Sequence, residues 1–166
     1  MINFFTKYLY FYNVGKSFIC DGEPISMDTS LDYSNSFKFS MTIKTSPLIG
    51  YGNEGIIYSD RGPQSLIEIR WLKNSSIEFV ISNAHINERV QTEMLYFEGE
   101  FNLTLLFDGE TCEWHMNDVL VGSVIDCSKG LGELGNPMLC HASTMGWFGW
   151  ITNLKFEKLG KRFIFI

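Results

Sequence analysis

The chain has 166 residues, of which 45% are hydrophobic and 15% aromatic, including 14 Phe, 7 Tyr and 4 Trp. That supply of apolar side chains is enough for one domain with a core of its own, needing neither a disulfide nor a metal to persist. A formal net charge of -6, with the basic residues scattered along the chain, excludes a general affinity for nucleic acid or anionic membrane, since both need clustered Lys and Arg.

Residues 1–16, MINFFTKYLYFYNVGK, are aromatic-rich, but Lys7 splits the apolar run and no small-residue cleavage site follows. This makes a poor signal peptide and is too short to span a membrane, so it is read as an N-terminal edge segment. Residues 17–20 form a short strand that ends at Asp21-Gly22, and a polar loop runs on through Asn35. Phe37, Phe39, Met41 and Ile43 then alternate with Lys38, Ser40, Thr42 and Lys44, the clearest strand in the chain with one dry and one wet face.

Gly50, Gly52, Asn53 and Gly55 break the next stretch into loop, after which Ile56, Ile57 and Tyr58 read as a buried strand. Asp60-Arg61-Gly62-Pro63 is a turn by its chemistry, because Gly62 allows reversal and Pro63 cannot donate to a ladder. Residues 66–72 and 77–81 make a hairpin over Lys73-Asn74-Ser75-Ser76; residues 85–92 are polar and read as an exposed connection; residues 94–97 resume the strand pattern.

From Phe101 to Ser123 the signals are densest. Phe101, Leu103, Leu105 and Phe107 lie on one face of a strand, and Asp108-Gly109 turns it back through Cys112, Trp114 and Met116. Asn117-Asp118 turns it again into Val119 and Val121, so a three-stranded meander is expected and no helical stripe appears. Residues 126–136 read as a long surface loop and residues 137–141 as a strand. In the last long strand, residues 147–156, Trp150, Thr152, Leu154 and Phe156 are expected to share one face, opposite Ile151, Asn153 and Lys155. About a dozen strands over a single domain, 1–166, are predicted, with residues 157–166 as a C-terminal strand, in an all-β sandwich or barrel.

Taken in order, Phe18-Ile19-Cys20-Asp21-Gly22, the strand from Phe37, the strand into Asp108-Gly109, the Asn117-Asp118 turn and the closing Phe148-Gly149-Trp150-Ile151 resemble the laminin-G-like, concanavalin-A-like jelly-roll superfamily. The resemblance spans residues 17–156 and implies a two-sheet antiparallel sandwich with recognition at its rims or on its concave sheet. It also implies an extracellular or virion-surface setting, although no signal peptide is seen. Some members hold calcium at the rim; Asp60, Asn83 and Asp126 are loop residues of suitable type, without an assignable set. Many laminin G modules carry a bridging Cys where Trp150 stands here, and the Glu-x-Asp-x-x-Glu cluster of the glucanase members is missing.

Cys20, Cys112, Cys127 and Cys140 match no CxxC zinc spacing, and no metal or other cofactor is expected through them. Cys127 and Cys140 are near enough in sequence to bridge across the loop in an oxidising place, the other reading being buried thiols. Cys140 and His141 are strand neighbours pointing to opposite faces, which keeps them from acting as a nucleophile pair.

The chain therefore reads as a non-enzymatic module that binds a glycan or a protein surface. Flat rings flanked by Asn, Asp and Arg suit the apolar face and hydroxyls of a sugar, and Trp147, Tyr51, Arg61 and His141 are the expected ligand contacts. Arg61 could take the carboxylate of an acidic sugar such as sialic acid; core packing is the expected role of Trp150. Two other classes stay open: a structural or attachment part of a viral or phage particle, which would form a homo-oligomer, and a glycoside hydrolase, which would need two carboxyl groups about 5 to 10 Å apart.

Overall fold

Alternation of apolar and polar residues along each strand decides which side of each sheet is dry. The computed structural model describes residues 17–21, 23–27, 36–45, 54–62, 65–83, 85–93, 95, 99–124, 137–140 and 147–158. Its strands are β1 (Phe18–Asp21), β2 (Ile25–Ser26), β3 (Phe37–Thr45), β4 (Gly55–Arg61), β5 (Leu66–Trp71) and β6 (Ile77–Ser82). They continue with β7 (Asn87–Gln91), β8 (Glu100–Phe107), β9 (Cys112–Met116), β10 (Val119–Val124), β11 (Met138–Leu139) and β12 (Phe148–Lys158). They form two six-stranded antiparallel sheets, one in the order β1-β12-β3-β8-β9-β10 and the other in the order β2-β11-β4-β5-β6-β7.

The core lies between them. On β3 and β8 the paired residues Phe37 and Phe107, Phe39 and Leu105, Met41 and Leu103, and Ile43 and Phe101 all turn inward. Ile67, Ile69 and Trp71 of β5 and Ile77, Phe79 and Ile81 of β6 meet them from the second sheet. Aromatic pairs tie the layers together: ring centroids are 4.8 Å apart for Phe39 and Tyr58, 5.6 Å for Phe79 and Trp114, and 6.4 Å for Trp71 and Phe101. Such pairs stabilise by about 0.5–1.5 kcal/mol each beyond the area they bury.

The meander forms as its turn residues require. Gly109 has φ +102°, and the Asp108 carboxylate accepts from the Glu110 and Thr111 amides at 2.9 and 2.7 Å. Asn117 and Asp118 have φ of +50° and +63°, the positive values that a two-residue hairpin turn needs at both centre positions.

Several expectations are corrected. The segment read as an exposed connection contains β7, an edge strand with only Val90 partly buried; pairing on one side alone requires no apolar run. The turn expected at residues 60–63 begins later, because β4 continues through Arg61 and the Gly62 amide donates to Ser65 O at 2.9 Å. The expected polar loop after Asp21 contains the two-residue strand β2. Residues 1–16, 94, 96–98, 125–136 and 159–166, which cover the edge segment, the long loop, Cys127 and the terminal apolar run, lie outside the described residues.

The cysteine bridge is also not the loop bridge between Cys127 and Cys140. Cys140, just after β11, is joined to Cys20 of β1, 120 residues away, with the Cα atoms 5.4 Å apart. The bond therefore connects one sheet to the other, and both cysteines are buried. Closing the longer loop restricts the unfolded chain more than a bridge between Cys127 and Cys140 would, by about 2 kcal/mol on chain-entropy grounds. Non-reducing peptide mapping is expected to recover a Cys20–Cys140 pair, and replacing both by Ser to lower the free energy of unfolding by about 2–5 kcal/mol in urea titrations. A Cys127–Cys140 peptide would contradict this connection.

Candidate functional site

The last strand carries an irregularity that alternation alone does not reveal. β12 pairs with β3 as Gly149 with Thr45, Trp150 with Lys44, Ile151 with Ile43 and Thr152 with Thr42, then resumes as Lys155 with Ser40 and Phe156 with Phe39. One extra residue is inserted between Thr152 and Lys155, and Asn153 sits there with φ +51°. Asn tolerates this left-handed conformation better than most residues. The bulge resets the strand's parity. Leu154 and Phe156 turn to the core as expected, but Trp150 and Thr152 turn outward with Lys155.

Trp150 consequently stands half-buried on the outer face of the first sheet. With Thr42, Ile43, Lys44, Glu100 and Thr152 it lines an open depression of about 260 Å³. This is below the roughly 300–1,000 Å³ of enclosed small-molecule sites, so a ligand would lie on it rather than inside it. Beside the ring runs a hydrogen-bonded polar row: Asn153 Nδ2 donates to Thr42 Oγ1 at 3.3 Å, and Thr42 Oγ1 donates to Asn102 Oδ1 at 2.7 Å. Asn117 Oδ1 fixes that row at its far end by accepting from the Asn102 amide at 2.9 Å. In register across β1, β12, β3 and β8 lie Ile19, which is 65% exposed, Trp150, Lys44 and Glu100.

Trp147, expected at the rim, is instead completely buried. Its ring lies under Gly149, where a Cβ atom would come within 2.6 and 2.7 Å of the six-membered ring, so it supports the backbone on which Trp150 is mounted. Its indole N–H has no hydrogen-bond partner among the described residues, which marks a position filled for its bulk.

Arg61 lies on the other side of the sandwich, at the start of an ion-paired ladder across the outer face of the second sheet. Its Nη2 is 2.6 Å from Glu68 Oε1; Glu68 also meets Arg70, which reaches Glu78 at 3.5 Å, and Glu78 meets Arg89 at 3.6 Å. Glu68 is fully buried among these groups although its strand position faces outward, so the middle of this face is closed. Tyr51 and His141 lie outside the described residues; of the other two expected contacts, Trp147 is in the core and Arg61 is ion-paired on the outer face of the second sheet.

Of the three residues considered for calcium, two are described. Asp60 is buried within β4, the Asn83 side chain caps its own turn by accepting from the His85 and Ile86 amides, and Asp126 lies outside the described residues. Among the described residues no group of three or more His, Cys, Asp or Glu could hold a metal ion.

No protein-family model and no curated protein sequence matches the chain. Solved structures do. Domains LG4-5 of the mouse laminin α1 chain superpose with a TM-score of 0.66 at 10% identity, over 89% of this chain and 43% of that one. The botulinum neurotoxin serotype D binding domain gives 0.66 at 16% identity, over 87% of this chain and 40% of that one. The carbohydrate-binding module CBM66 from Bacillus subtilis gives 0.54 at 13% identity, over 88% of this chain and 98% of that one. This chain thus spans less than half of the laminin and neurotoxin chains and nearly all of the bacterial module. The likeness establishes the fold, a concanavalin-A-like jelly-roll sandwich.

The two tryptophans of β12 should separate in stability measurements. Trp147→Ala empties a core position and is expected to cost about 3–5 kcal/mol in urea unfolding. Trp150→Ala, on the outer face, should cost about 1 kcal/mol or less. Equal losses, or the reverse order, would contradict the parity assigned to β12.

Proposed function

We propose that the domain is a non-enzymatic carbohydrate-recognition module whose ligand lies on the outer face of the first sheet, against Trp150. One observation carries the reading. Trp71, Trp114 and Trp147 are all 1% exposed or less, whereas Trp150 lines an open depression with hydroxyl, ammonium and carboxylate groups around it. An aromatic ring supplies a flat apolar surface for the C–H face of a sugar, and neighbouring Thr, Lys and Glu can donate to and accept from its hydroxyls.

The setting supports binding over turnover. Glycosidases use two carboxyl groups about 5 to 10 Å apart, and the six residues that line the depression include one carboxylate, Glu100. The likeness to a bacterial carbohydrate-binding module is in the same direction. A disulfide between two buried cysteines suits a protein that folds in an oxidising compartment, and we place its work outside the cytosol.

A glycan array followed by calorimetry tests the proposal. The wild-type domain is expected to bind a restricted set of sugars, and Trp150→Ala to weaken that binding by about tenfold or more, roughly 1.4 kcal/mol, with the thermal midpoint little changed. Binding that survives Trp150→Ala undiminished would place the site elsewhere.

A further inference from the structure

We infer that the Trp150 site selects uncharged sugars and discriminates against sugars that carry a carboxylate, sulfate or phosphate; this rests on the carbohydrate-recognition reading above. The pair beside the ring sets this selectivity. Lys44 and Glu100 are directly opposed on β3 and β8, both are exposed, and both line the depression with Trp150. Opposite charges in that cross-strand relation normally close on each other. Among the described residues neither head group forms an ion pair or a side-chain hydrogen bond, so both remain available to a ligand lying between them.

An ammonium group only donates and a carboxylate only accepts. A ligand bridging them must therefore accept on one side and donate on the other, which a pair of neighbouring sugar hydroxyls does without carrying charge. The pair sums to zero, so the site offers no net attraction to an acidic sugar, and a ligand carboxylate that meets Lys44 here lies beside Glu100 as well. Discrimination by such a repulsive element adds to that from the attractive contacts. Lys44 is the one basic residue among the six that line the depression, whereas Arg61, Arg70 and Arg89 lie in the ladder on the opposite face, paired with Glu68 and Glu78.

The test uses the intact chain and matched ligands: neutral oligosaccharides and the same oligosaccharides carrying a uronic or sialic acid, measured by calorimetry at about 50 and 500 mM salt. Wild type is expected to bind a neutral member, almost independently of salt, and its acidic counterpart about tenfold or more weakly. Glu100→Gln leaves Lys44 uncompensated and should raise affinity for the acidic counterpart about fivefold or more at low salt, the gain shrinking at high salt. Lys44→Gln should weaken the neutral ligand and give no such gain. Preference of the wild type for the acidic ligand, or an acidic affinity unmoved by Glu100→Gln, overturns the inference. If the preferred ligand is acidic yet lost in Trp150→Ala, the recognition site stands and only its charge selectivity fails. If no sugar binds, or binding ignores Trp150→Ala, both fail.

Discussion

Each strand of a two-layer sandwich can press only one of its faces into the core, and the structure follows from meeting that constraint twelve times. Where alternation is regular, as on β3 and β8, Phe, Met, Ile and Leu turn inward, and the outward face is left to Lys, Ser, Thr, Asn and Glu together with Leu106. On β12 the alternation is not regular. Its single extra residue at Asn153 lets Ile151, Leu154 and Phe156 reach the core while Trp150 and Thr152 face out beside Thr42 and Lys44. One backbone irregularity thus decides whether a large aromatic ring is core or surface.

The ring is held on a stiff base. Beneath Gly149 the buried Trp147 packs so closely that no side chain could be added there, and around Trp150 β12 is paired with β3 on one side and, over Phe148 to Ile151, with β1 on the other. The Cys20–Cys140 bond fastens β1 to the opposite layer close to this point. The polar row from Asn153 through Thr42 to Asn102 is tied to the hairpin turn at Asn117, so a ligand would meet groups already oriented. The two outer faces differ in kind: one is open and nearly neutral around Trp150, the other is crossed by an arginine-glutamate ladder that buries Glu68.

Most of the architecture was legible because it is written in short-range chemistry. The β3 alternation, the Asp108-Gly109 and Asn117-Asp118 turns and the β5–β6 hairpin all depend on residues a few positions apart, and each forms as its sequence implies. The order of these pieces matches the jelly-roll fold that the two sheets form. The site was less legible. Outward positions of Thr42 and Lys44 follow from β3 alone, but the outward position of Trp150 depends on a bulge three residues downstream, and Asn153 looks like any polar strand residue. Trp147 appeared peripheral because small residues precede it, while its burial depends on packing beneath a glycine. Arg61 appeared free at a turn because its partner Glu68 comes from the neighbouring strand. The disulfide was misjudged for the same reason, since closeness along the chain says little about closeness between sheets.

Trp150 alone among the four tryptophans presents its ring to solvent, on the face where we propose that a sugar lies. Mild oxidation of the native protein with an indole-selective reagent, followed by peptide mass mapping, tests this most directly. Trp150 is expected to be modified first, Trp71, Trp114 and Trp147 to stay intact until the protein unfolds, and a bound oligosaccharide to protect Trp150. Early modification of Trp147 with Trp150 untouched would contradict it.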